Sequence, residues 1–322
     1  MRNAMFLSAA LGVAALGALS LPGCGDGGSS GTGGTGGGGA VTLDSACGDF
    51  ASAICSRTKA CLAVLFDYQY GDQATCEADV KPQCMATPDL AGAKMEAADI
   101  QTCADAYSAL SCDALFVGGI PEACRVKGEK ADGDSCATAA QCSGLSCVTM
   151  GEGECGVCDT RVAAGGSCAA EGAKCEYGLS CLNDVCTKLG GSGDPCASND
   201  ECGASFACVD GACGTPLAAG APCDASGPRC DPLKTLYCNP KTNVCQAFEL
   251  AAIGEACGYD VNTGVISLCE ADGNCDPDTE VCVAALKQGD TCAVDATTGT
   301  SNCRHDLQCV GGVCTTAYPT CQ

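Results

Sequence analysis

Residues 196–213 read CASNDECGASFACVDGAC, four cysteines in 18 positions, and variants of this phrase return five more times along the chain. A sequence written this way cannot close around one large apolar core. Cysteine supplies 35 of the 322 residues, while aromatics make up only 4% and tryptophan is absent. Above roughly 8–10% cysteine, composition points to a disulfide scaffold in an oxidising compartment. The 47% hydrophobic content leans on Cys and Ala, each of which brings little apolar area. Several small, covalently closed units are the physical solution open to such a chain.

The six phrases open on Gly, a short spacer and Cys: GDSC, GSC, GDPC, GAPC, GEAC and GDTC. Their first cysteines are Cys136, Cys168, Cys196, Cys223, Cys257 and Cys292, a period of 27 to 35 residues. Self-similarity on this scale means a tandem array of small modules. The first phrase continues through Cys142, Cys147, Cys155 and Cys158, and the second through Cys175, Cys181 and Cys186. The third carries Cys202, Cys208 and Cys213, and the fourth Cys230, Cys238 and Cys245. The fifth carries Cys269, Cys275 and Cys282, and the sixth Cys303, Cys309 and Cys314, with Cys321 beyond it. The array occupies residues 129–322, in modules at about 133–158, 165–186, 193–213, 220–245, 254–282 and 289–321.

The last two cysteines of each phrase frame a hairpin. In CLNDVC, CVDGAC and CVGGVC the central pairs are Asn183-Asp184, Asp210-Gly211 and Gly311-Gly312, which tolerate the positive φ of two-residue hairpin turns. The longer CNPKTNVC and CDPDTEVC place Pro240 and Pro277 in the turn. Hairpins this short need covalent help to be stable. Four cysteines allow three pairings, so connectivity stays open. Cys155 is expected to close the first phrase, leaving Cys158 and Cys321 as extras.

The phrase CASNDECGASFACVDGAC resembles the Dickkopf N-terminal cysteine-rich module, and more loosely the EB-type and EGF-type disulfide modules. The likeness covers residues 133–321 in six approximate copies, closest in the second and third. It implies a module architecture and carries no receptor-ligand activity with it.

Ahead of the array, residues 41–128 space eight cysteines widely: Cys47, Cys55, Cys61, Cys76, Cys84, Cys103, Cys112 and Cys124. Cys47, Phe50, Ile54, Cys61 and Leu65 fall on one helical stripe, capped by Asp44 or Ser45. A second helix is expected from Thr75 to Lys81, ending near Pro82, and a third along Ile100, Cys103, Tyr107 and Leu110. Cysteines on inward faces predict a small bundle held by about four disulfides. In FDYQYG, residues 66–71, the alternation of Phe66, Tyr68 and Tyr70 predicts a loop or short strand packed on the bundle, the alternative being an exposed aromatic contact patch.

The N-terminus places the chain. Arg2 precedes an apolar run from Met5 to Leu19, the layout of a secretory signal peptide over residues 1–23. Its ending, Leu21-Pro22-Gly23-Cys24, resembles a bacterial lipobox, although Pro22 departs from the usual Ala or Ser. The resemblance implies cleavage before Cys24 and a diacylglycerol thioether on its sulfur. Setting Cys24 aside leaves 34 cysteines, enough for 17 bridges with no thiol over. Residues 25–40, with ten glycines in sixteen positions, read as a flexible tether reaching roughly 20–25 Å.

Several chemistries are weighed against the staple reading. A net charge of −23 repels nucleic acid and anionic surfaces, and no basic patch stands out in the sequence. Zinc needs thiolates that an oxidising compartment removes. The one CxxC, Cys155-Gly156-Val157-Cys158, is a thiol–disulfide exchange candidate, though acidic Glu152, Glu154 and Asp159 flank it. The single histidine, His305, has no nucleophile elbow to serve. Calcium is a weak candidate at Asp276, Asp278 and Glu280, and at the Asn199-Asp200-Glu201 turn.

The resulting expectation is a small disulfide-rich fold: an N-terminal α-helical bundle stapled by cysteines, followed by an array of short β-hairpin disulfide modules. No catalytic residues or cofactor are assigned. Function is read as a lipid-anchored, non-catalytic cysteine-rich protein of the cell envelope, at the outer membrane or cell surface. It would bind a protein or glycan partner, adhere, or act as an extended spacer. A disulfide-rich inhibitor or effector is the runner-up.

Overall fold

The computed structural model describes residues 41–149, 153–170, 172–224, 226–294, 301–304 and 307–321. The signal peptide, Cys24, the glycine tether and His305 lie outside the described residues.

Helix α1 spans Leu43–Cys61. Thr42, not Asp44 or Ser45, is its N-cap. The Thr42 hydroxyl accepts the Ser45 N–H, and the Ser45 hydroxyl accepts the Thr42 N–H, each at 3.2 Å, so two otherwise unpaired donors are satisfied together. The stripe expected to run on to Leu65 is broken at Leu62, whose φ of −138° leaves the helix. A separate helix, α2 (Ala63–Tyr70), follows. FDYQY is therefore helical rather than a loop or strand. Phe66 and Tyr70 are four apart as well as alternating, and both turn inward with rings 5.4 Å apart. Gly71, at φ +74°, ends α2.

Helix α3 (Gln73–Ala86) starts on an Asp72 cap and runs through Pro82, where the sequence predicts its end. Proline inside a helix costs about 3 kcal/mol. The disulfides Cys55–Cys76 and Cys47–Cys84 pin α3 to α1 on both sides of Pro82 and hold the helix together across it. Helix α4 (Ala97–Tyr107) completes the core, with Tyr107 meeting Phe50 edge to face at 5.6 Å. Cys103–Cys124 and Cys61–Cys112 close the remaining ends, the latter anchoring α5 (Cys112–Phe116).

After residue 129 the elements are mainly short antiparallel hairpins, with single 3-10 turns between them and one parallel pairing, of Glu249–Ala251 with Ile266–Cys269. Each aligns the third and fourth cysteines of its phrase directly opposite one another: Cys181 faces Cys186, Cys208 faces Cys213, and Cys309 faces Cys314. These facing cysteines are not bonded to each other. In every module the first cysteine bonds the third and the second bonds the fourth, as in Cys168–Cys181 with Cys175–Cys186 and Cys196–Cys208 with Cys202–Cys213. The same pattern gives Cys223–Cys238 with Cys230–Cys245, Cys257–Cys275 with Cys269–Cys282, and Cys292–Cys309 with Cys303–Cys314.

The repeated glycine explains that choice. Gly133, Gly165, Gly193, Gly220, Gly254 and Gly289 all have φ between +78° and +94°. Each donates its N–H to the carbonyl of the module's fourth cysteine, at 2.7–2.9 Å. The residue after each glycine accepts that cysteine's N–H in return. The glycine turn thus lays the first cysteine alongside the second hairpin strand, within reach of the third. It also shows Gly165-Gly166-Ser167-Cys168 to be a full four-residue phrase like its neighbours.

The array does not extend. Cys155 bonds Cys321 over 166 residues and ties the first module to the chain's end. Every module also touches the helical domain. Gln141 Nε2 donates to the Ala91 carbonyl at 2.7 Å, and Tyr177 packs against the bundle core. The Ser205 N–H donates to the Asp113 carboxylate, and Leu233 packs against the cluster of Leu62 and Leu115. A Cβ on Gly71 would lie 3.6 Å from that of Ala271. In the last module Arg304 pairs with Asp79 at 3.2 Å, and the Tyr318 and Thr87 hydroxyls are 3.4 Å apart. The six modules curl around the bundle and close on themselves through Cys155–Cys321.

Candidate functional site

The cysteines come first, because the sequence offers them as ligands, redox groups or staples. Sulfur triplets such as Cys136, Cys142 and Cys147, or Cys223, Cys230 and Cys245, lie within 4.8 Å of one another. All of these sulfurs belong to disulfides, and a disulfide sulfur lacks the thiolate charge that binds zinc. The crowding follows from two crossed bridges stacked behind each hairpin.

The CxxC pair is not closed on itself. Cys158 bonds Cys142 and completes the first module, while Cys155 is the extra that reaches Cys321. This reverses the expected roles. The physical cause is register: Cys147 on β1 (Leu145–Val148) lies opposite Cys158 on β2 (Gly156–Thr160), so Cys158 holds the fourth-cysteine position. Cys155 precedes β2 and is exposed.

Asp276, Asp278 and Glu280 share one hairpin turn. The Asp276 carboxylate accepts the N–H groups of Asp278 and Thr279 at 2.9 and 3.0 Å. These backbone bonds hold its pKa below the ordinary carboxylate value. In the fourth module the corresponding residue is Asn239, whose Oδ1 accepts from Lys241 and Thr242 at 2.8 and 3.3 Å. A neutral amide performs the same task, so the position is that of a turn cap. In the Asn199–Glu201 turn, Asn199 Oδ1 accepts the Cys208 N–H at 2.9 Å and Glu201 accepts the Ala197 N–H at 2.8 Å.

The alternating aromatics make no exposed patch. Phe66 is fully buried, Tyr70 nearly so, and burial raises the Tyr68 hydroxyl above its ordinary pKa.

One arrangement was invisible in the sequence. Arg125, Arg161 and Lys174, which are 36 and 13 residues apart, converge on Tyr177 where the second module meets the bundle. The Arg161 guanidinium lies 3.7 Å over the ring and that of Arg125 lies 5.3 Å from it. Arg161 donates from Nε to the Leu145 carbonyl at 3.0 Å and from Nη1 to the Cys175 carbonyl at 2.9 Å. Lys174 Nζ reaches the Cys147 carbonyl at 3.4 Å. Partial desolvation, and then the Arg161 charge, lower the Lys174 pKa, while burial raises that of Tyr177. Beside them opens a cleft of about 210 Å³, lined among others by Val117, Gly118, Glu176 and Leu179. No basic patch stands out in the sequence, and these three cations come together only in space.

Among the described residues, this cleft gathers cationic and aromatic side chains from segments far apart in the sequence. No family model, no curated protein and no solved structure matches the chain.

Proposed function

We propose that this is a non-catalytic binding protein of the cell envelope, displayed on a lipid anchor at Cys24 and a glycine tether, and locked by disulfides against unfolding and proteolysis. The observation that carries the reading is the closed disulfide framework: 34 described cysteines form 17 bonds. Dense bonding of this kind belongs to an oxidising, extracellular setting. In modules with almost no apolar core, bridges closing 11 to 18 residues contribute about 3 kcal/mol each. Scaffolds of this type spend their stability on rigid presentation of a surface. Closure of the array favours a compact head on a tether over a spacer. The lipobox resemblance supports the anchor, and the likeness to the Dickkopf N-terminal module supports the module architecture alone.

The experiment is an intact mass of the protein taken from its native membrane, with free thiols alkylated before and after reduction. Acyl mass on the Cys24 fragment, with no alkylation before reduction, is the expected result. A soluble, unacylated chain would sink the anchor. Two alkylated cysteines at positions 155 and 158 would replace the binding reading with thiol–disulfide exchange.

A further inference from the structure

We propose that the cleft beside Tyr177 binds a carboxylate carried on a small neutral or zwitterionic molecule. The chain holds 39 acidic residues against 16 Lys and Arg, and here Arg161 and Lys174 line one cleft, with Arg125 against the same Tyr177 ring. Among the described residues none of Arg125, Arg161 and Lys174 makes an ion pair; the pairs are Lys81–Asp44, Lys94–Glu129, Lys234–Asp231 and Arg304–Asp79. Glu176, a carboxylate in the lining, pairs with none of the three. The lining thus sets two positive charges, Arg161 and Lys174, against the single carboxylate of Glu176 in a half-enclosed space.

The geometry selects the ligand. Two of the five N–H groups of Arg161 are spent on the Leu145 and Cys175 carbonyls, which fixes the guanidinium and leaves donors for an oxygen ligand. Planar carboxylate oxygens match a guanidinium edge, and Lys174 supplies a second, flexible charge. The cleft of about 210 Å³ falls below the roughly 300–1,000 Å³ of pockets for drug-sized ligands, which puts it at the scale of an amino acid or a sugar acid. Val117, Leu179 and the Tyr177 ring offer apolar contact to its stem. The chain's overall charge of −23 repels polyanions at long range, so the rest of the ligand has to be neutral or positive.

The inference gives the binding role a chemical class and rests on that role. Its test is read on different observables from the mass experiment, so each can fail alone. Acetate, glycine and inorganic phosphate are titrated into the purified full chain, followed by NMR of the Tyr177 ring and Lys174 side chain. Saturable shifts with acetate and glycine are expected, stronger than with phosphate. Lys174→Met, whose hydrogen bond at 3.4 Å is weak, should weaken binding about tenfold, as loss of a charged hydrogen bond does, with no change in melting temperature. Glu176→Gln should tighten binding by removing a repelling charge. Absence of saturable shifts, or binding unchanged in both variants, overturns the site. Binding of phosphate alone overturns the carboxylate assignment.

Discussion

Asn239 and Asp276 cap equivalent turns, and the difference between them is informative. Asp276 only accepts hydrogen bonds, from two backbone N–H groups. Asn239 is 1% exposed and also donates, from Nδ2 to the Gln246 side chain at 2.9 Å and to the Thr263 carbonyl at 3.1 Å. Asp276→Asn should therefore leave the melting temperature unchanged, with or without added calcium. Asn239→Asp should set a carboxylate against two oxygens and cost roughly 3 kcal/mol, read by thermal unfolding of the oxidised protein. A calcium-dependent loss in Asp276→Asn would restore the metal reading. Backbone donors lower the pKa values of Asp72 and Asp276, and the Ser226 and Thr263 hydroxyls, with backbone donors after them, lower those of Asp224 and Asp260. A depressed folded-state pKa means stabilisation that is present above the unfolded value and lost as pH falls through the folded one. The four carboxyl groups should thus titrate below the ordinary 3.8 in NMR, their turns loosening only in strong acid. Which residues would cap was partly legible, since DPDT and NPKT are turn sequences. That the Asn239 amide would also reach the fifth module was not, because Thr263 is 24 residues away.

At the level of the element, the module is a glycine turn plus a hairpin, and its glycines are conformational. A Cβ on Gly220 would meet nothing within 4 Å, yet its φ is +78°. Gly220→Ala should cost about 1–2 kcal/mol through backbone strain alone, visible as a lower melting temperature with all disulfides intact. A melting temperature equal to wild type would show that the turn can be rebuilt. Hairpin turns were readable in advance: Asn183, Asp184 and Asp210 sit at φ +49°, +63° and +51° as their types allow. The joints between modules were not. Arg229 donates to the carbonyls of Cys202, Gly203 and Phe206 in the preceding module. Nothing in its local sequence distinguishes it from a solvated cation. Arg229→Met should free the third and fourth modules from one another and raise hydrogen exchange at their junction, while both hairpins keep their protection.

For the whole molecule, the bond between Cys155 and Cys321 decides shape. Its cysteines are exposed and half-buried, whereas the bridge from second to fourth cysteine is buried in all six modules. Mild reduction should open Cys155–Cys321 early, with the buried bridges resisting. The double variant Cys155→Ser, Cys321→Ser should keep its six modules and raise the radius of gyration in small-angle scattering as the array loosens from the bundle. An unchanged profile would mean that Asp79–Arg304, Asp113 and the other contacts with the bundle hold the ring without it. The residue types and their spacing were enough to determine a disulfide-stabilised chain of helices followed by repeated hairpin modules, because cysteine density, glycine turns and helical stripes act over a few residues. Pairing within each module, the exchange of roles between Cys155 and Cys158, the closure of the array and the cationic cleft were decided by tertiary structure. Each depends on which distant segments come within a few ångströms, and that distance is set by packing and register, which local spacing does not encode.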